Sequence, residues 1–96
     1  MVPPKLMQKK ATFVVKNDRG LHTRPATEFV KLASKYKCDL RLKFRKMEVN
    51  GKSLLGILML AATKGSKLRL EATGIDAEEA LHDLVGLANN QFNNSY

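Results

Sequence analysis

The chain has 96 residues, with 17 Lys or Arg against 9 Asp or Glu and a net charge of +8. That length admits one domain with a modest core, and a hydrophobic fraction of 44% fits a globular chain rather than a disordered one. No apolar run approaches the roughly 20 residues that a membrane span requires, and a lone cysteine excludes an internal disulfide.

Residues 1–9 carry prolines and lysines without periodicity, which predicts a flexible N-terminal extension. They lack the apolar stretch of a signal peptide, so a cytoplasmic protein is expected. Ala11, Phe13 and Val15 alternate with Thr12, Val14 and Lys16, the pattern of a half-buried strand. Asn17-Asp18-Arg19-Gly20 reads as a turn. A helix follows from about Thr23 to Ser34, with Pro25 in its first turn and an apolar stripe of Ala26, Phe29, Val30 and Ala33. His22 then stands at the helix start with Arg24 beside it. The first N–H groups of a helix and the positive end of its dipole make that position an anion site. A nucleophilic imidazole there, next to a cradle formed by the Thr23 and Arg24 backbone, points to a phosphohistidine. The plainer reading is a polar residue in the capping region.

Cys38, Leu40, Leu42 and Phe44 alternate with Asp39, Arg41, Lys43 and Arg45, the clearest strand in the sequence. Cys38 is expected as a small buried hydrophobe. Met47 and Val49 continue as a short third strand. The link between them, Arg45-Lys46, is poor chemistry for a tight turn, which prefers Asn-Gly. Asn50-Gly51 is expected in the lead-in to a second helix, from about Ser53 to Leu60, with Ser53 as its N-cap. Leu68, Leu70 and Ala72 mark a fourth strand, closed by Gly74. Asp76 reads as the N-cap of a last helix, with Glu79 completing a capping box. Its stripe is Ala77, Ala80, Leu81, Leu84 and Ala88, and His82 falls off it as a solvated residue. Asn89 to Tyr96 is polar and is expected to fray.

The order is βαββαβα, with one apolar face per strand and one stripe per helix. An α+β fold satisfies both: a four-stranded antiparallel sheet with three helices on one face. A ferredoxin-like arrangement is the alternative from pattern alone.

The octapeptide Gly20-Leu21-His22-Thr23-Arg24-Pro25-Ala26-Thr27 resembles the active-site signature of HPr, the histidine-containing phosphocarrier family of the bacterial sugar phosphotransferase system. Lys52-Ser53-Leu54-Leu55-Gly56-Ile57-Leu58-Met59 resembles the same family's regulatory-serine segment, at the family's usual separation. The resemblance covers residues 10–92, leaving 93–96 as a flexible tail. It implies the open-faced β-sandwich and a hairpin at Arg45-Lys46, where family members often carry Asn-Gly. It implies a carrier phosphorylated on His22 Nδ1 by phospho-enzyme I, itself charged by phosphoenolpyruvate. Arg24 would stabilise the phosphoryl group, which would pass to IIA domains for sugar uptake. Ser53 would be a regulatory site for HPr kinase/phosphorylase. Leu54, Leu55 and Leu58 are candidates for an apolar docking patch, although adjacent Leu54 and Leu55 cannot both point fully inward.

No cofactor or metal is expected, because one cysteine and two distant histidines do not make a metal site. Nucleotide loop and catalytic triad are equally absent, so the chain reads as a relay intermediate and not an enzyme. A nitrogen-related or purely regulatory HPr-like protein is the alternative within the family. Outside it, a nucleic-acid reading rests on Lys16, Arg41, Lys43, Arg45, Lys67 and Arg69, all predicted on one sheet face against Asp39, Glu48 and Glu71. That face lacks the aromatic residues on which bases stack. A monomer is the expected state.

Overall fold

The strands and helices follow one another as β1 (Gln8–Val14), α1 (Thr23–Ala33), β2 (Asp39–Phe44), β3 (Met47–Asn50), α2 (Leu54–Met59), β4 (Lys67–Thr73) and α3 (Ala77–Asn89). The computed structural model describes residues 7–94. Of the expected N-terminal extension, residues 1–6 lie outside the described residues, and β1 begins at Gln8, earlier than the alternation suggested.

The strands form one antiparallel sheet in the order β1-β4-β2-β3. The two central strands are therefore β4 and β2. A ferredoxin-like sheet centres its first and third strands, so that alternative is set aside. Phe13, Leu40, Leu42, Leu68, Leu70 and Ala72 are buried on one face, where the helix stripes meet them. On α3 the buried residues are Ala77, Ala80, Leu81, Leu84 and Ala88, the stripe read from spacing. Cys38 is buried, and desolvation pushes its thiol up to about 11, as suits an inert packing residue. His82 is exposed, with its Nδ1 3.3 Å from Asp83 Oδ1.

Phe44 pairs with Met47, so the β2–β3 link is Arg45-Lys46 after all. Arg45 takes a left-handed φ of 57°, a conformation that favours Gly or Asn. Asn50 ends β3, paired with Arg41, so the expected lead-in to α2 holds only from Gly51 onward. The Asn50 side chain accepts from Lys52 N (2.9 Å), and Gly51 N donates to the Leu40 carbonyl (2.7 Å).

Asp76 does not build a capping box. Although it precedes α3, its carboxylate makes no hydrogen bond to its own helix. It accepts from Lys37 N (2.8 Å) and Cys38 N (2.9 Å), which holds it below the usual carboxylate range. The residue thus ties the α1–β2 loop to the start of α3. A second tie lies about two turns further along α3, where Tyr36 Oη donates to Asp83 Oδ2.

That bond, with help from burial and nearby carboxylates, raises Tyr36 to about 12. The folded value lies above the ordinary 10.0, so the tie is intact below pH 10 and is lost as pH rises through about 12. The sequence holds two tyrosines. In an alkaline absorbance titration one should ionise late, and Tyr36→Phe should remove that late phase. Two ordinary tyrosine titrations in the wild type would contradict the bond.

The polar C-terminal stretch does not simply fray. Gln91, Phe92 and Asn93 form a left-handed turn with φ of 54°, 54° and 60°. Such backbone costs roughly 1–2 kcal/mol per residue. The gain is Phe92, fully buried against Phe13 (ring centroids 5.9 Å, edge-on) and Phe29 (6.4 Å). Asn17 Nδ2 donates to the Gln91 carbonyl (2.9 Å) and the Asn94 carbonyl (3.3 Å), so the turn also braces the loop before α1. Residues 95–96 of the expected tail lie outside the described residues. Phe92→Ala should cost about 3–5 kcal/mol in urea unfolding. A cost below about 1 kcal/mol, the range for surface substitutions, would mean that this segment frays.

Candidate functional site

His22 is the N-cap of α1, in extended backbone with φ −80° and ψ −170°, and its side chain makes no capping hydrogen bond. It is half-buried, whereas Thr23 and Arg24 beside it are exposed. The helical ladder opens with Ala26 N donating to the His22 carbonyl (3.0 Å). The backbone groups of Thr23 and Arg24 therefore precede the ladder, as an anion cradle requires. Pro25 is buried in that first turn, where its missing N–H costs little. No acidic residue lies in the first turn, so no carboxylate opposes the positive helix end.

The loop that delivers His22 is zipped to the segment after α2. Val15 N donates to the Ser66 carbonyl (2.9 Å), Gly65 N to the Val15 carbonyl (2.8 Å) and Leu21 N to the Ala62 carbonyl (2.9 Å). Lys64 pairs with Asp18 at 2.8 Å and lowers its carboxyl below the usual range. Gly20, with φ of 71°, lies so close that a Cβ there would sit 2.4 Å from the Ala62 carbonyl oxygen. The turn was legible in the sequence; this close approach was not.

The same zipper brings the end of α2 toward the His22 loop. Ser53 is the N-cap of α2 and its Oγ accepts from Gly56 N at 3.0 Å. Gly56 lets the helix lie close to β3, because a Cβ there would meet Val49 Cβ at 3.1 Å. The three candidate docking leucines separate. Leu54 and Leu58 are half-buried against the core, while Leu55 is 70% exposed. The sequence reading missed Met59, 62% exposed and one turn beyond Leu55 on the same helix face. Its spacing of four from Leu55 was the available signal. Met47, at the start of β3, is also exposed.

The strands place Arg41, Lys43, Lys67 and Arg69 on the bare sheet face, whereas Lys16 and Arg45 fall just outside β1 and β2, and Glu71 is buried on that face and not solvated. Among the described residues its exposed large apolar side chains include no aromatic. No group of His, Cys, Asp or Glu among them is placed to hold a metal. No described helix is long and apolar enough to cross a membrane.

The fold is a small open-faced α+β sandwich with a histidine at the start of its first helix. Comparison with known proteins narrows this further. A family model described as the PTS HPr component phosphorylation site matches residues 9–90. The chain is 46% identical over 78 residues to the phosphocarrier protein HPr of Pseudomonas aeruginosa, covering 79% of this chain and 86% of that one. It is 39% identical over 83 residues to the HPr of Neisseria meningitidis serogroup A, covering 86% and 93%. A crystal structure of HPr from Thermoanaerobacter tengcongensis superimposes with a TM-score of 0.87 at 39% identity, over 92% of this chain and 99% of that one. The chain belongs to the HPr family of the phosphotransferase system, a family of phosphotransfer carriers rather than catalysts.

Proposed function

We propose that His22 accepts a phosphoryl group from phospho-enzyme I, charged by phosphoenolpyruvate, and passes it to IIA domains in a cytoplasmic sugar-uptake relay. The observation that carries this reading is His22 at the cap of α1, with no carboxylate in the first turn. Its unprotonated nitrogen, Nδ1 by family resemblance, attacks phosphorus. One N–P bond forms as the donor's N–P bond breaks, and the donor imidazole leaves. The phosphoryl oxygens then face the Thr23 and Arg24 N–H groups and the Arg24 guanidinium, a fork suited to phosphate. Because the histidine is only half-buried, the group stays accessible to the next acceptor.

Leu55 and Met59 form the apolar part of the surface that meets enzyme I and IIA. The experiment is transfer of label from phosphoenolpyruvate through enzyme I, followed by a panel of sugar-specific and nitrogen-related IIA acceptors. Label that reaches the sugar-specific acceptors supports the relay. Label that reaches only the nitrogen-related ones assigns the chain to that branch instead.

Ser53 acts as the regulatory site, modified by HPr kinase/phosphorylase. Its Oγ already caps α2, and a phosphate of charge near −2 is locally favoured at a helix N-terminus. On the same helix as Leu55 and Met59, that charge repels an acidic partner. Ser53→Asp keeps a capping oxygen while adding charge, so it isolates the second effect. Phosphoryl transfer to this variant should slow by about tenfold, corresponding to roughly 1.4 kcal/mol. Equal rates would remove the regulatory role.

A further inference from the structure

The open sheet face, on the side away from the helices, carries a shallow cleft of about 330 Å³ lined by Thr12, Lys43, Arg45, Lys67, Leu68 and Arg69. Lys43 lies directly opposite Arg69 across β2 and β4, and Thr12 lies opposite Arg69 across β1 and β4. Like charges placed opposite each other disfavour the sheet, and here the Glu71 carboxylate bridges them only unevenly, closer to Lys43 than to Arg69. The carboxylates nearby are largely spent on Lys43, with Glu71 at 3.1 Å and Glu48 at 3.3 Å. Arg69 is left with a long 3.8 Å contact to the buried Glu71 and stays 57% exposed. Arg45 and Lys67 have no ion pair with a described carboxylate. Arg45 also holds its left-handed turn position, where glycine would be at ease, and sets its guanidinium 5.0 Å over the Phe44 ring.

We propose that this cleft binds a small anion carrying two or more phosphoryl groups. Two arginines, two lysines and Thr12 line it, a donor set that suits phosphoryl oxygens. Single-stranded nucleic acid is disfavoured because the face offers no exposed ring for stacking. A duplex would need an extended basic track, whereas Asp39 and Glu48 interrupt the charge toward β3. The cleft lies on the bare face of the sheet and His22 at the start of a helix on the other, so the site is separate from the phosphocarrier site.

The test is a titration of nitrogen-labelled protein with inorganic triphosphate at about 0.15 M ionic strength. The expected result is saturable shifts at Thr12, Lys43, Arg45, Lys67 and Arg69. Arg45→Gly, which suits the left-handed turn and so preserves the hairpin, should weaken binding about tenfold, as should Lys67→Gln. His22→Ala should leave the affinity unchanged. Shifts centred on residues 22–26, no loss in either variant, or equal binding of an acidic peptide or a DNA duplex would overturn the proposal.

Discussion

Gly20→Ala is expected to destabilise the fold by roughly 3 kcal/mol or more. The backbone there has φ of 71°, and the new methyl would stand 2.4 Å from the Ala62 carbonyl oxygen and 2.9 Å from Thr63 Cα. Both obstacles are backbone atoms, so no side-chain rotation relieves them. For a domain of this size the melting temperature should fall by on the order of 10–20 °C. Gly65→Ala is the control, because Gly65 also has positive φ (89°) but nothing within 4 Å of a Cβ. It should lose only the left-handed penalty of roughly 1–2 kcal/mol. Equal losses for the two variants would show that the contact between the His22 loop and the 62–63 segment does not matter. The Gly20 variant should also transfer phosphoryl groups poorly, since the clash pushes against the Leu21–Ala62 hydrogen bond that sets the loop.

His22→Ala should abolish phosphoryl acceptance while leaving stability within about 1 kcal/mol of wild type. The side chain is half-buried and makes no capping hydrogen bond, so its removal leaves no large cavity and no uncapped donor. Thermal unfolding and label transfer from phosphoenolpyruvate, measured on the same preparation, separate the two effects. Full loss of label with an unchanged melting curve is expected. Residual label would place the acceptor elsewhere, and a collapsed melting curve would make His22 a structural residue. Arg24→Ala should be milder, slowing transfer by about 10–100-fold, because the backbone cradle survives.

The architecture was legible wherever packing is local to one element. Strand alternation and helix stripes need only nearest neighbours along the chain, and the α3 stripe matches residue for residue. The expectations that failed all involve partners distant in sequence. Asp76 had two sets of N–H groups to choose between, and the winning set lies 38 and 39 residues away at Cys38 and Lys37. Phe92, a lone aromatic among asparagines, gave no periodic signal, yet its partners are Phe13 and Phe29. Glu71 was placed correctly on the bare face, but its burial depends on Lys43 and Arg69 folding over it. Around the site, the placement of His22 and Ser53 as N-caps, with Arg24 in the first turn of α1, was legible because a helix start has its own residue grammar. Met59 offered only its four-residue spacing from Leu55, because exposure of an apolar residue on a six-residue helix depends on what the rest of the fold leaves uncovered.

The most direct measurement follows the ring nitrogens of both histidines by nitrogen NMR, before and after phosphoenolpyruvate and a catalytic amount of enzyme I. The account requires the Nδ1 signal of His22 to move and couple to phosphorus, with His82 unchanged. Coupling at His82, or a folded protein on which neither ring takes up phosphorus, would contradict it.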